Sequence, residues 1–208
     1  MTTLYFVRHG ESSGNIDDTF TGCTDTPLSA AGLKQAELLC GYLCNFKIDS
    51  IWSSDLTRAR DTVVPLACAK GLDIKLSEDF REINGGEWEK RLYKSLPLSY
   101  PEEFSVWMND MQNAVCPGGE SIKHLSDRVY DAALKIALEN DGKSVVIATH
   151  ATPIRTFTAR CTGVSPNDID WVPNASVTKV VFKNGIFSIA ESGITDFLGD
   201  LVTTLRDI

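Results

Sequence analysis

Short apolar runs alternate with amphipathic stretches along this chain, and that alternation limits its fold more than any other feature. Leu4–Val7 and Val145–Thr149 are near-continuous runs of β formers, the pattern of parallel strands covered on both faces. Asp49–Ser53 and Ile74–Leu76 read as two more strands. Ser29 can cap a helix over about residues 30–46, with Leu33, Ala36, Leu39, Cys40, Leu43 and Cys44 as its inward stripe. A second helix is expected over about 56–69, ending at Lys70-Gly71. A third should run from Ser121 to about Asn140, with Ile122, Leu125, Val129, Ala132, Ala133 and Ile136 inward and Asp141-Gly142 as its stop. A fourth follows His150. Val177–Lys183 and Ile186–Ala190 flank Asn184-Gly185, a two-residue hairpin signal. The expectation is an α/β fold with three α/β/α layers: a mostly parallel sheet, helices on both faces and an antiparallel edge hairpin.

Residues 84–120 break this rhythm. They hold Gly85-Gly86, Pro97, Pro101 and Pro117-Gly118-Gly119, together with Trp88, Tyr93, Tyr100, Phe104 and Trp107. A partly helical, lid-like insertion is expected there. Its aromatics could pack on a ligand or form a small core of their own. Lys90, Arg91 and Lys94 read as its solvated surface.

The 208 residues, 43% hydrophobic and 23% charged, have ordinary globular proportions, so a single domain over 1–208 is expected. Lys and Arg number 20 against 28 Asp and Glu, giving a net charge of −8. That balance repels nucleic acid and anionic membranes, and neither is expected as a partner. The start lacks the basic and long apolar regions of a signal peptide, and no apolar run reaches the ~18 residues of a membrane span. A cytoplasmic location with six reduced cysteines is the expectation. Monomer and homodimer both stay open.

Open α/β sheets bind ligands beyond the carboxyl ends of their strands. Two of the three histidines stand at such ends: His9 after strand one and His150 after Val145–Thr149. Arg8 and His9 are adjacent, so both reach one pocket only if the chain turns there, and Gly10 supplies freedom for that turn. Arg58 and Arg60 lie about 200° apart on a helix, so only one can face the pocket. His124 is read as structural or exposed. Cys40 and Cys44 are four residues apart but lack partners in a metal-binding pattern, and are read as core.

Taken together these residues resemble the histidine phosphatase superfamily, which includes the cofactor-dependent phosphoglycerate mutases. Arg8-His9-Gly10-Glu11 with Asn15 is similar to the family's opening signature. Gly22 to Gly32 is similar to its second block, with Cys23 where tryptophan is common. Ser53 to Thr62 matches an Arg-Ala-x-x-Thr block and selects Arg58 over Arg60. Phe80 to Glu89 resembles the block of the proton donor, here Glu82. Pro117 to Ser121 and Thr149 to Arg155 complete the series. Ala151 stands where glycine commonly follows the second histidine, and Lys90 where a Trp-Glu-Gly ending is usual.

The resemblance implies a small phosphorylated substrate and catalysis by His9, Glu82, His150, Arg8 and Arg58. Arg8, Asn15, Thr21, Gly22, Arg58, Glu82, His150 and Ala151 would bind the phosphate or substrate. The residue types suit that chemistry. Guanidiniums bind phosphate oxygens bidentately, Asn15 adds a neutral donor, and a cationic His150 would add a third positive group. His9 must be neutral to attack phosphorus, its other ring nitrogen donating to a carbonyl such as that of Gly10. Glu82 would protonate the leaving alkoxide and later activate water. Neither metal nor cofactor is implied. The span from Trp88 to Pro117 is short for a mutase, which must shield its phosphohistidine from water. Hydrolysis is therefore expected over transfer. The alternatives are a phosphoglycerate mutase and, as a specific hydrolase, an α-ribazole phosphatase.

Overall fold

A computed structural model describes residues 1–203. Six strands form one sheet: β1 (Thr2–Arg8), β2 (Ser50–Ser53), β3 (Ile74–Leu76), β4 (Ser144–Thr149), β5 (Val177–Lys183) and β6 (Ile186–Ile194). Their order across it is β3-β2-β4-β1-β5-β6. The first three neighbouring pairs are parallel, and β5 and β6 close the edge as an antiparallel hairpin. Asn184 (φ 54°) and Gly185 (φ 82°) both have positive φ, as a two-residue hairpin turn whose twist matches its strands requires.

The principal helices are α1 (Ala30–Leu43), α2 (Thr57–Lys70), α3 (Pro101–Asn109), α4 (Ile122–Glu139) and α5 (Ala151–Thr162). Alternation along β1 explains the layering. Leu4 and Phe6 point into a core shared with Leu125, Val129 and Ile136 of α4 and with Ile154 and Phe157 of α5. Tyr5 and Val7 point the other way, onto Leu39 and Leu43 of α1 and Val63 and Leu66 of α2. Ser29 and Ser121 accept the backbone N–H of Gly32 and His124 and so cap α1 and α4.

The stripe expected for α1 is partly wrong. Leu33 is 54% exposed and Cys44 is exposed, so Cys44 is not core. Gly32 and Gln35 are buried instead. The cause is the close approach of the turn after β1. A Cβ on Gly32 would stand 2.0 Å from the Glu11 carbonyl oxygen. The Gln35 amide is spent on the Glu11 N–H (2.7 Å), the Leu201 carbonyl and the Thr203 hydroxyl. Rotating Leu33 inward would displace that amide. On α4, Ala132 is half-buried against the core as the stripe implies, and Ala137 is buried as well.

Residues 84–120 leave the sheet and return to the same point. The Asn84 carbonyl accepts the Glu120 N–H at 2.8 Å. Gly86 (φ 53°) lies so close to Pro117 that a Cβ would fall 2.2 Å from its carbonyl oxygen. Between these ends, Trp88, Phe104 and Trp107 pack with Phe20 and Tyr93 at ring-centroid distances of 5.4 to 6.0 Å. This aromatic cluster is continuous with the α4–α5 core. Lys90 holds φ 64°, a left-handed conformation that costs a side chain roughly 1–2 kcal/mol and that glycine adopts freely.

Candidate active site

Parallel pairing of β1 with β4 sets Arg8 beside Thr149, so the residues that follow them meet. The His9 and His150 rings lie 5.1 Å apart, inclined at 58°. β1 ends at Arg8, so His9 leaves strand geometry and both side chains reach one pocket. Gly10 allows this by its size: its φ is not positive, and a Cβ there would lie 2.8 Å from the Gly32 carbonyl oxygen.

The pocket encloses about 580 Å³, solvent at its mouth included. Arg8, His9, Asn15, Thr21, Gly22, Arg58, Glu82 and Ala151 all line it. His150 lies directly behind, fully buried. Arg60 turns away and pairs with Asp61. His124 is exposed and bonds Glu120.

Arg8 and Arg58 are buried, at 2% and 1% exposure, and neither has a carboxylate partner among the described residues. Arg8 donates one Nη1 bond to the Val172 carbonyl (2.6 Å), and its Nε is buried without a partner. Arg58 donates to the carbonyls of Gly22 (2.7 Å) and Thr24 (2.8 Å). Burial pushes the Arg8 guanidinium down to about 10, with Glu82 opposing and Arg58 reinforcing the shift. Buried charges are ordinarily paired, so two guanidiniums with only carbonyl partners form a floor suited to an anion.

His9 Nδ1 lies 2.7 Å from the Gly10 carbonyl oxygen. With Nδ1–H donating there, Nε2 is the unprotonated nitrogen. Burial, then Arg58 and Arg8, holds the ring far below the usual histidine range, so it is neutral. His150 is likewise held neutral, chiefly by burial and then by Arg58. Its Nε2 meets Ser54 Oγ at 2.9 Å, and its Nδ1 is buried without a partner. A fixed third cation at His150 is therefore not a property of the protein alone.

These two rings fix the sign of a pH effect. Their folded-state pKa values lie below the unfolded value near 6.5. Well above pH 6.5 neither state binds the protons, so stability is unaffected. As pH falls from 6.5 toward the depressed values the unfolded chain is protonated first, and stability drops by up to about 1.4 kcal/mol per pH unit for each ring. Denaturant unfolding at pH 7, 6 and 5 should show this decline, and His150→Gln should make it shallower. An unchanged slope in that variant would contradict the assignment.

Glu82 accepts the N–H groups of Ile83 (2.8 Å) and Thr152 (3.3 Å), which hold its carboxylate in the pocket lining. Asn15 Oδ1 accepts from the Ser12 N–H and hydroxyl and from Asn174 Nδ2. That leaves the Asn15 amide N–H groups as its free donors. Ala151 is the first residue of α5 and has no positive φ, so its Cβ introduces no backbone strain.

Three further residues escaped the sequence argument. Arg128 donates from Nε and Nη2 to Glu120, and from Nη1 and Nη2 to the carbonyls of Asp79, Arg81 and Glu82. It thus holds the loop that presents Glu82. In sequence it is one charge among several on an amphipathic helix, and nothing marks it out. Asn174 donates to the His9 carbonyl (3.2 Å) and to Asn15; the break before β5 was its only signal. Trp171 lines the pocket from the same irregular segment.

Comparison with known proteins gives a concordant result. The profile of the histidine phosphatase superfamily (branch 1) matches residues 4–195. The chain is 29% identical to the adenosylcobalamin/α-ribazole phosphatase of Escherichia coli over 168 residues, 81% of this chain and 82% of the relative. It is 30% identical to phosphoserine phosphatase 1 of Hydrogenobacter thermophilus over 203 residues, 96% of each chain. It is 31% identical to the probable phosphoglycerate mutase GpmB of Salmonella choleraesuis over 212 residues, 97% of this chain and 94% of the relative. In structure it is similar to Bacillus stearothermophilus YhfR, with TM-score 0.90 and 25% identity over 95% of this chain and 100% of that one.

Proposed function

The chain belongs to the histidine phosphatase superfamily (branch 1), and from that premise we propose that it hydrolyses a small phosphomonoester without a metal ion. The observation that carries this reading is the floor of two buried guanidiniums lacking carboxylate partners, set beside a neutral imidazole. In this mechanism Arg8, Arg58 and the Asn15 amide hold the phosphoryl oxygens. His9 Nε2 forms a bond to phosphorus as the P–O bond to the leaving group breaks, and Glu82 supplies the proton to that oxygen. Glu82 then takes a proton from water, which attacks the phosphohistidine and releases phosphate. A phosphate dianion offsets the surrounding positive charge and favours the imidazolium of His150. The cationic groups perform the charge neutralisation that metal ions provide in other phosphoryl transfers.

Residues 84–120 act in this reading as a lid over one wall of the pocket, and the whole of 1–208 as a single catalytic domain. The substrate is a soluble cytoplasmic metabolite, with neither nucleic acid nor membrane as partner. No helix among the described residues is long and apolar enough to cross a membrane. Likeness to a probable mutase favours a second reading, in which the phosphoryl group returns to the product. The two separate in one assay. Phosphate release from p-nitrophenyl phosphate in EDTA, without bisphosphoglycerate-dependent interconversion of 3- and 2-phosphoglycerate, is the expected result. Rapid interconversion would replace hydrolysis with transfer.

A further inference from the structure

The lining of the pocket divides into a charged part and an apolar part. All its charged lining residues, Arg8, Arg58 and Glu82, belong to the phosphate end and the proton donor. The apolar wall is built from Phe20, Ile83, Tyr93, Trp107 and Trp171. Among the described residues, no Lys or Arg besides Arg8 and Arg58 lines the pocket. The Arg155 guanidinium, which is not in the lining, stacks on Trp171 at 4.2 Å from the ring centroid. Its Nε and Nη2 are spent on the carbonyls of Pro166 (2.6 Å) and Asn167 (3.2 Å).

The polar atoms of the wall are neutral. The Tyr93 hydroxyl oxygen accepts the Trp107 Nε1–H at 2.9 Å, which leaves its own proton to donate. Burial pushes that phenol up to about 12, so it carries no charge at neutral pH. The wall thus offers ring faces and two neutral donors, the Tyr93 hydroxyl and the Trp171 indole N–H. A carboxylate on the leaving group would be desolvated there with no cation in the wall to pair with it, a cost that discriminates strongly in buried sites.

We propose that the Phe20–Tyr93–Trp107–Trp171 wall is a leaving-group subsite for an uncharged, ring-bearing alcohol, and that it discriminates against leaving groups that carry a carboxylate. The proposal rests on the hydrolase reading above and adds the class of substrate. It separates this chain from phosphoserine- and phosphoglycerate-type substrates despite its likeness to proteins named for them.

The test uses primary-alcohol phosphates that differ mainly in what the alcohol carries. Phosphate release is followed from benzyl phosphate, ethyl phosphate and O-phosphoserine, with p-nitrophenyl phosphate as the control for the hydrolase itself. The expected order of kcat/KM is benzyl above ethyl by at least about tenfold, with phosphoserine no better than ethyl. Trp171→Ala should reduce the benzyl-to-ethyl ratio by about tenfold. Phosphoserine turned over faster than benzyl phosphate would overturn the subsite and leave hydrolysis standing. So would an unchanged benzyl-to-ethyl ratio in the folded Trp171 variant. Silence on all four compounds, p-nitrophenyl phosphate included, would sink the hydrolase reading and the subsite with it.

Discussion

His9→Ala is expected to retain less than about one part in ten thousand of the phosphatase activity. Among the described residues, His9 is the only histidine that lines the pocket, and it has a partner fixing its tautomer. Removing it leaves the guanidinium floor able to bind phosphate but removes the atom that accepts it. The variant should therefore bind inorganic phosphate and be thermally stabilised by it. It should form no acid-labile phosphoenzyme when quenched during turnover, whereas the wild-type protein should. Retention of more than about a tenth of the activity would contradict the nucleophile assignment. His150 cannot take over, because its Nε2 is engaged by Ser54 and the ring lies behind the pocket surface.

The second large effect should depend on the leaving group. An alkoxide needs a proton to depart, so Glu82→Gln should lower kcat for an alkyl phosphate by about 10²–10⁴-fold. p-Nitrophenolate leaves without that proton, so phosphorylation of His9 should survive in the variant. Water attack on the phosphohistidine should not, because the amide cannot accept a proton. With p-nitrophenyl phosphate the variant should release a burst of about one p-nitrophenolate per site, followed by slow turnover. Equal losses on both substrates with no burst would mean that Glu82 holds the site together and moves no proton. Its bonds to the Ile83 and Thr152 N–H groups make that alternative concrete; glutamine's one carbonyl oxygen can keep the shorter bond, to Ile83, while the 3.3 Å bond to Thr152 is lost.

Much of the architecture was readable from local pattern. The β1 and β4 runs, the Ser29 and Ser121 caps and the Asn184-Gly185 turn each carry their own structural instruction, and each element formed where its signal stands. The approach of His9 to His150 followed from two parallel strands ending at one rim. What escaped depends on contacts between distant segments. Nothing near Gln35 says that its amide will be claimed by Glu11 and by Leu201, and that claim rotated the buried stripe of α1. Arg128 reaches carbonyls more than 45 residues away, and Asn174 acts 165 residues from His9. Helical spacing cannot encode such partners. The reason for Gly10 was misread in the same way: a side chain is excluded there by α1, packed across from it, and the turn itself makes no demand for positive φ.

The neck of the 84–120 excursion has an evolutionary consequence. Asn84 and Glu120 are joined to each other, and Arg128 grips Glu120 and the loop of Glu82 from α4. The proton donor is thereby fastened to the permanent frame, on the near side of the neck. Everything beyond the neck, including Tyr93 and Trp107, is a cassette whose ends stay at fixed positions. Doubling the length of such a closed segment costs only about 0.6 kcal/mol in chain entropy. Lineages can therefore rewrite that part of the recognition wall by insertion, deletion or exchange while the reacting groups keep their places, so a new diet can be acquired without relearning the chemistry.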